Sequence, residues 1–204
     1  MPARRGDTRE RIQEVALELF AERGYDDASM REIAARLGVT KAALYYHFKT
    51  KEEILGSVVE DLAAEIDELA GWVRAQPLSA ARRDEALGRL VALVRGRWRP
   101  LARVLNENRA ALRRLEAGSR LRERGRVLFS LFDDGGDVEA RLRARLAVTA
   151  IIMGSLESPE ELGADETELQ DAALAVARGL LEEGAGAGRR QPAGERTSPP
   201  DLRP

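Results

Sequence analysis

The chain has 204 residues, a net charge of −2 and 44% hydrophobic residues, enough for one medium domain or a small domain beside a larger one. It contains no cysteine, which excludes a disulfide framework, a zinc–thiolate site and a thiol nucleophile. No apolar run approaches the ~20 residues that span a bilayer, and the N-terminus MPARRGDTRE lacks the apolar stretch of a signal peptide, so a cytoplasmic protein with no membrane partner is expected.

The first predicted element is an amphipathic helix. Ile12, Val15, Ala16, Leu19 and Phe20 fall on one helical stripe, Asp7 or Thr8 is placed to cap its start, and Gly24 stops it. A second helix opens at SMRE, where Ser29 and Glu32 form a capping box, and Met30, Ile33, Ala34 and Leu37 make its inner face. Gly38 supplies the positive φ of a tight turn. Thr40 then caps a third helix of about eight residues, Lys41 to Phe48, with Leu44 and Phe48 pointing inward.

That third helix carries the chemistry. Its outer face is Lys41, Ala42, Tyr45, Tyr46 and His47, and all three lysines of the chain fall at Lys41, Lys49 and Lys51. From Ala28 to Lys51 the basic residues are Arg31, Arg36, Lys41, Lys49 and Lys51 against one acid, Glu32, a local charge of +4 on a slightly acidic protein. A whole-chain charge near zero therefore hides a basic patch. Two helices joined by a short glycine-containing turn match the helix-turn-helix unit, whose second helix enters the DNA major groove. Lysine, tyrosine and histidine donors suit phosphates and base edges, and alanines allow close approach and contact with a thymine methyl. The competing reading is a small three-helix core with incidental surface aromatics. A metal role for His47 lacks any second histidine or cysteine.

The segment TRERIQEVALELFAERGYDDASMREIAARLGVTKAALYYHFKTKEEIL closely resembles the DNA-binding domain of the tetracycline-repressor (TetR) family of bacterial transcription regulators. The resemblance covers roughly 5–65, with the helix-turn-helix at about 29–48, and it implies an all-α protein with a C-terminal helical ligand-binding and dimerisation domain. It implies that Thr40, Tyr45 and Lys51 clamp phosphates and that Lys41, Ala42, Tyr46 and His47 lie closest to bases. Arg31 is placed to reach a base or a phosphate. Arg4 and Arg5 are either an N-terminal arm on the DNA or a disordered basic tail. Where the family often has Gly or Pro followed by Thr, this chain has Ala42-Ala43, so its base preference does not transfer from relatives.

Beyond this segment no motif is diagnostic. A long helix from Lys51 to about Ala75 carries Ile54, Leu55, Val58, Val59, Leu62, Ile66, Leu69 and Val73 on its apolar side. Pro77 ends that stretch, and Ser79 starts a helix reaching about Arg97. Pro100 resets the chain, and helices are expected over Leu101–Ala117 and Ser119–Phe132, with DDGGD as a loop. The arginines Arg120, Arg122, Arg124 and Arg126 alternate around a helix and read as a solvated face. The last two helices are expected at about Val138–Leu156 and Glu166–Glu183, and 184–204 as a disordered Gly- and Pro-rich tail.

Ala147, Ala150 and Gly154, flanked by Leu142, Leu146 and Met153, and the stripe Leu169, Ala173, Val176 and Leu180 face either a second copy of the chain or their own core. The resemblance favours a homodimer through these two helices. It also implies a small-molecule effector pocket in the 66–183 domain, for which Trp72, Trp98, Phe129, Phe132 and Met153 are the apolar candidates and Asn106, Asn108 and Arg109 the polar ones. No cofactor is expected beyond an unidentified effector. The expected function is a repressor released from a double-stranded palindromic operator by that effector. The alternative is an effector-independent architectural DNA-binding protein. With no Ser-His-Asp set, phosphate loop or metal-ligand cluster, an enzyme is not expected.

Overall fold

A computed structural model describes residues 5–77, 79–95, 99–107, 116–133, 135–157 and 159–187, and every regular element among them is helical. In chain order they are α1 (Arg5–Arg23), α2 (Met30–Leu37), α3 (Lys41–His47), α4 (Lys51–Arg74), α5 (Ala80–Arg95), α6 (Arg99–Glu107), α7 (Glu116–Ser130), α8 (Val138–Gly154), a 3-10 turn (Pro159–Leu162) and α9 (Glu166–Ala187).

Local chemistry sets the starts and stops of the N-terminal helices. The Ser29 hydroxyl accepts the Glu32 amide at 3.3 Å while the Glu32 carboxylate accepts the Ser29 amide at 2.9 Å, so the reciprocal box satisfies two helix-end donors. Gly38 adopts φ 68° and ends α2, with the Val39 amide reaching back to the Ala34 carbonyl at 3.0 Å. Thr40 and Thr50 cap α3 and α4 by accepting the amides of Ala43 and Glu53. Phe20, Ile33, Leu44, Phe48, Ile54 and Leu55 are fully buried, so α1, α2, α3 and the start of α4 contribute to one core.

α4 runs on from this head into the body, and all eight residues assigned to its apolar side are buried. α6 packs on α1 and α7 packs on α4, while α8 and α9 form the most extensive helix pair. Gly154 permits that pairing: a Cβ built on it would stand 2.6 Å from the Cβ of Ala173.

Several expected boundaries and roles shift. α1 begins at Arg5, ahead of Asp7 and Thr8, so Arg5 belongs to a helix rather than an extended arm; Arg4 lies outside the described residues. α6 begins at Arg99 with Pro100 in its first turn, where a missing amide proton costs no helical hydrogen bond. α7 begins at Glu116, three residues before the expected Ser119. α9 continues through Ala187, four residues into the expected tail, because alanine sustains a helix alongside the two glycines of GAGA; residues 188–204 lie outside the described residues.

The arginine series is not wholly a solvated face. Arg120 and Arg124, one turn apart, reach across to Glu60 and Asp67 of α4, the second pair at 2.8 Å, while Arg122 and Arg126 are exposed. Such solvent-screened pairs add little stability and mainly set which face of α7 meets α4.

Candidate nucleic-acid interface

α3 is a seven-residue helix whose two sides have opposite environments. Leu44 and the capping residue Phe48 are buried, and Arg9 of α1 stacks on the Phe48 ring at 4.6 Å. Lys41, Ala42 and Ala43 face outward, and Tyr46 is 67% exposed. Tyr45 and His47 are half-buried. The Lys41 ammonium lies 5.3 Å from the Tyr45 ring centroid, and the Tyr46 and His47 rings meet edge to face at 5.4 Å. Arg31 is exposed in the first turn of α2.

Thr40 is exposed, and its hydroxyl caps α3 through the Ala43 amide at 3.2 Å. Its second lone pair and its proton leave it chemically able to take a further partner. Beside the helix is a groove of about 260 Å³ bordered by Thr8, Arg11, Val39, Ala43 and His47. Val39, absent from the sequence-based site, is 40% exposed at the turn between α2 and α3, an apolar residue on an otherwise polar rim.

Not every basic residue of the patch is presented on this face. Arg36 is paired with Glu22 of α1 at 2.7 Å, which holds that carboxyl below the usual carboxylate range. The Lys49 ammonium turns back to the Tyr45 carbonyl. Lys51, expected as a phosphate clamp, has a different setting. Its Nζ donates to the carbonyl oxygens of Tyr25 at 2.7 Å, Asp26 at 2.8 Å and Ala28 at 3.2 Å, so its three protons are engaged within the protein.

A second polar contact escaped sequence reading. Gln13 of α1 is only 5% exposed, and its Nε2 donates to Ser57 Oγ and Asp61 Oδ2 of α4, both at 2.9 Å. The two acceptors are four residues apart, one turn of α4, so a single amide fixes the register of α1 on α4. The available signal was a glutamine inside the arc of buried Ile12, Ala16, Leu17 and Phe20.

Of the residues expected to line an effector pocket, Trp72, Phe129, Phe132 and Met153 are described with their side chains. Trp72 is packed against the guanidinium groups of both Arg82 and Arg89, each 4.1 Å from its ring centroid. Phe132 is buried in the core with Phe129 partly buried against it, and Met153 is exposed on α8. Asn106 is on α6, with its side chain outside the described residues, as are Trp98, Asn108 and Arg109. Among the described residues, two clefts lie between head and body. One of about 570 Å³ is bordered by Arg9, His47, Glu53, Glu60 and Arg120; another of about 660 Å³ by Glu18, Glu22, Arg99, Arg103 and Glu157.

The outer faces of α8 and α9 split the expected dimer stripe in two. Ala147 is buried and Gly154 meets Ala173 of the same chain, so the small residues serve the internal α8–α9 seam. Val138, Leu142, Leu146 and Met153 lie on the opposite side of α8 and are exposed, 74% and 54% for the first two, and Val176 of α9 is exposed as well. α8 thus has two apolar faces, one of them uncovered by the described residues.

Residues 12–58 match the family described as bacterial regulatory proteins, tetR family. Over 80 residues the chain is 39% identical to the HTH-type transcriptional regulator AcrR of Shigella flexneri, covering 37% of each chain. Over 53 residues it is 40% identical to IcaR of Staphylococcus epidermidis, a negative transcriptional regulator of a biofilm operon, covering 26% of this chain and 29% of that one. These matches span only about a third of the relatives' length.

The fold extends the likeness. A member of the TetR transcriptional regulator family from Streptomyces coelicolor A3 is 26% identical, with TM-score 0.59 over 83% of this chain and 89% of that one. The ketosteroid transcriptional regulator KstR2 of Mycobacterium tuberculosis is 17% identical, with TM-score 0.66 over 88% and 95%, a likeness of fold. These relatives are regulators and not enzymes. Residues 12–58 thus form a regulatory domain of the tetR family, and the fold of the described residues is similar to that of TetR-family regulators over most of the chain.

Proposed function

We propose that this protein is a cytoplasmic, DNA-binding transcriptional repressor that reads a palindromic operator as a homodimer. The observation that carries the reading is α3: a short helix with one side buried in the head and the other presenting Lys41, Ala42 and Tyr46 outward from a helix-turn-helix, with His47 half-buried beside them. In this reading Arg31, Thr40 and Tyr45 hold phosphates, while Lys41, Ala42, Tyr46 and His47 meet base edges. The head is 5–65 and the effector and dimer domain 66–183. The uncovered apolar face of α8, with Val176 of α9, is the surface for the second copy, since an exposed stripe of Val138, Leu142 and Leu146 is costly in water.

Release by a small-molecule effector is supported by the two clefts between head and body, where an occupant would bear on the head directly. The effector must favour the conformer that does not bind DNA, because equal affinity for both shifts nothing. The architectural reading draws support from Trp72, which packs against Arg82 and Arg89, and from Phe132, which is buried in the core. The deciding experiment is a selection from random DNA, followed by titration of the selected duplex with and without a panel of small metabolites. A palindromic consensus weakened by one metabolite supports the repressor reading. Absence of any consensus would overturn it.

A further inference from the structure

The first turn of α4 is where both ends of the helix-turn-helix are held. At the exit, Thr50 caps α4 through the Glu53 amide at 3.1 Å, and the Glu53 carboxylate accepts the Lys49 amide at 2.7 Å, tying the end of α3 to that turn. At the entrance, Lys51 Nζ binds the carbonyls of Tyr25, Asp26 and Ala28, which form the corner between α1 and α2. The last of these adjoins Ser29, the N-cap of α2. The ammonium also lies 4.7 Å from the Tyr25 ring centroid, and Tyr25 is buried edge to face against Phe20 at 5.1 Å.

An ammonium has three protons and no lone pair, so three carbonyl acceptors complete its shell. A cation in the first turn of a helix faces the positive end of the macrodipole, and the converging carbonyls offset that. A lysine held in this way is not available as a phosphate clamp.

We propose that Lys51 is a positioning residue for DNA reading: its ammonium ties the α1–α2 corner to α4 and so sets the angle at which α2 and α3 present Arg31, Lys41 and Tyr46, without itself contacting phosphate. The inference rests on the DNA-binding reading above. Loosening the corner shifts the start of α2, and with it the register of α3 over the bases, while the number of phosphate contacts stays the same. Specific binding should therefore weaken more than non-specific binding.

The test compares the full-length wild type with Lys51→Met, Lys51→Arg and Lys41→Ala. Methionine keeps an unbranched stem over Tyr25 and removes the ammonium, and arginine restores a cationic donor. Each protein is titrated by fluorescence anisotropy across a salt series on two duplexes: one of mixed sequence, and one carrying the consensus selected by the wild type. Hydrogen exchange of the amides of residues 24–29 is followed without DNA.

On the mixed duplex Lys51→Met should keep the wild-type salt slope, whereas a lost phosphate contact lowers it by ~1. Its preference for the consensus over the mixed duplex should fall about tenfold and return in Lys51→Arg. Exchange at 24–29 should accelerate in Lys51→Met. A slope reduced by about one, an undiminished consensus preference, or unchanged exchange at the corner would each overturn the proposal. Failure of the wild type to bind either duplex would instead sink the DNA-binding reading, and the exchange arm would still report whether Lys51 holds the corner.

Discussion

Replacing Gly154 with alanine sets two known effects against each other. Gly154 is the last residue of α8, and an added Cβ would lie 2.6 Å from the Ala173 Cβ and 3.8 Å from the Leu169 carbonyl oxygen. Ordinary contact begins at 3.4 Å, so the helices must separate by about 0.8 Å at this point, enough to forfeit a quarter to a half of the dispersion energy of neighbouring contacts. Both clashing atoms are bonded directly to helical backbone, so no rotamer change relieves them.

Overpacking of this kind costs ~1–3 kcal/mol, while Gly→Ala in a helix returns at most ~1 kcal/mol of backbone entropy, and less at a terminus. The expected net is a loss of ~1–2 kcal/mol, a fall in Tm of ~2–8 °C for a domain of this size. Thermal denaturation by circular dichroism reads it. Ala173→Gly in the Gly154→Ala background removes the opposing carbon, so the double-mutant cycle should return a favourable coupling of ~1 kcal/mol or more. A higher Tm for Gly154→Ala, or no coupling with Ala173→Gly, would refute the close-approach argument.

Other predictions address the interface, the dimer and the head. Lys41→Ala or Tyr46→Ala should change the consensus selected from random DNA, each lost base contact costing ~1–3 kcal/mol; an identical consensus from both variants would show that neither side chain reads bases. Leu146→Glu should convert dimer to monomer in sedimentation experiments while leaving the helical circular dichroism spectrum unchanged, and an intact dimer would exclude the outer face of α8 as the interface. Gln13→Leu removes the donor shared by Ser57 and Asp61 and should lower stability by ~1–3 kcal/mol, measured by urea titration. The Ser29 hydroxyl first, and then its backbone amide, hold the Glu32 carboxyl below its ordinary range. That stabilisation is present above the unfolded-state pKa and is lost as pH falls through the lower folded value. Acid melting of the head should therefore lose this component in Glu32→Gln, and identical acid curves for the two proteins would count against the linkage.

Much of the head is legible in one dimension because its determinants are local. The box Ser29–Glu32, the positive φ of Gly38 and the Thr40 cap each join residues within a few positions, so spacing alone marks α2 and α3. The same holds for the apolar side of α4, where eight residues at helical spacing all become core. What spacing leaves open is the partner of each face and of each charged side chain. Lys51 lies on the sequence as one more basic residue of a patch, yet its protons go to carbonyls 23 to 26 residues away, brought together only when the α1–α2 corner closes over α4. Trp72 reads as one more apolar residue of the body, and only the packing of α5 on α4 brings Arg82 and Arg89 to its ring. α8 is apolar on both sides, so periodicity does not choose between them; close approach at Gly154 and Ala173 makes one side internal, and packing leaves Val138, Leu142 and Leu146 outside. Caps and stripes are properties of a few consecutive residues, whereas the destination of an ammonium, an indole or a second apolar face depends on which distant segment arrives beside it, and only tertiary packing decides that.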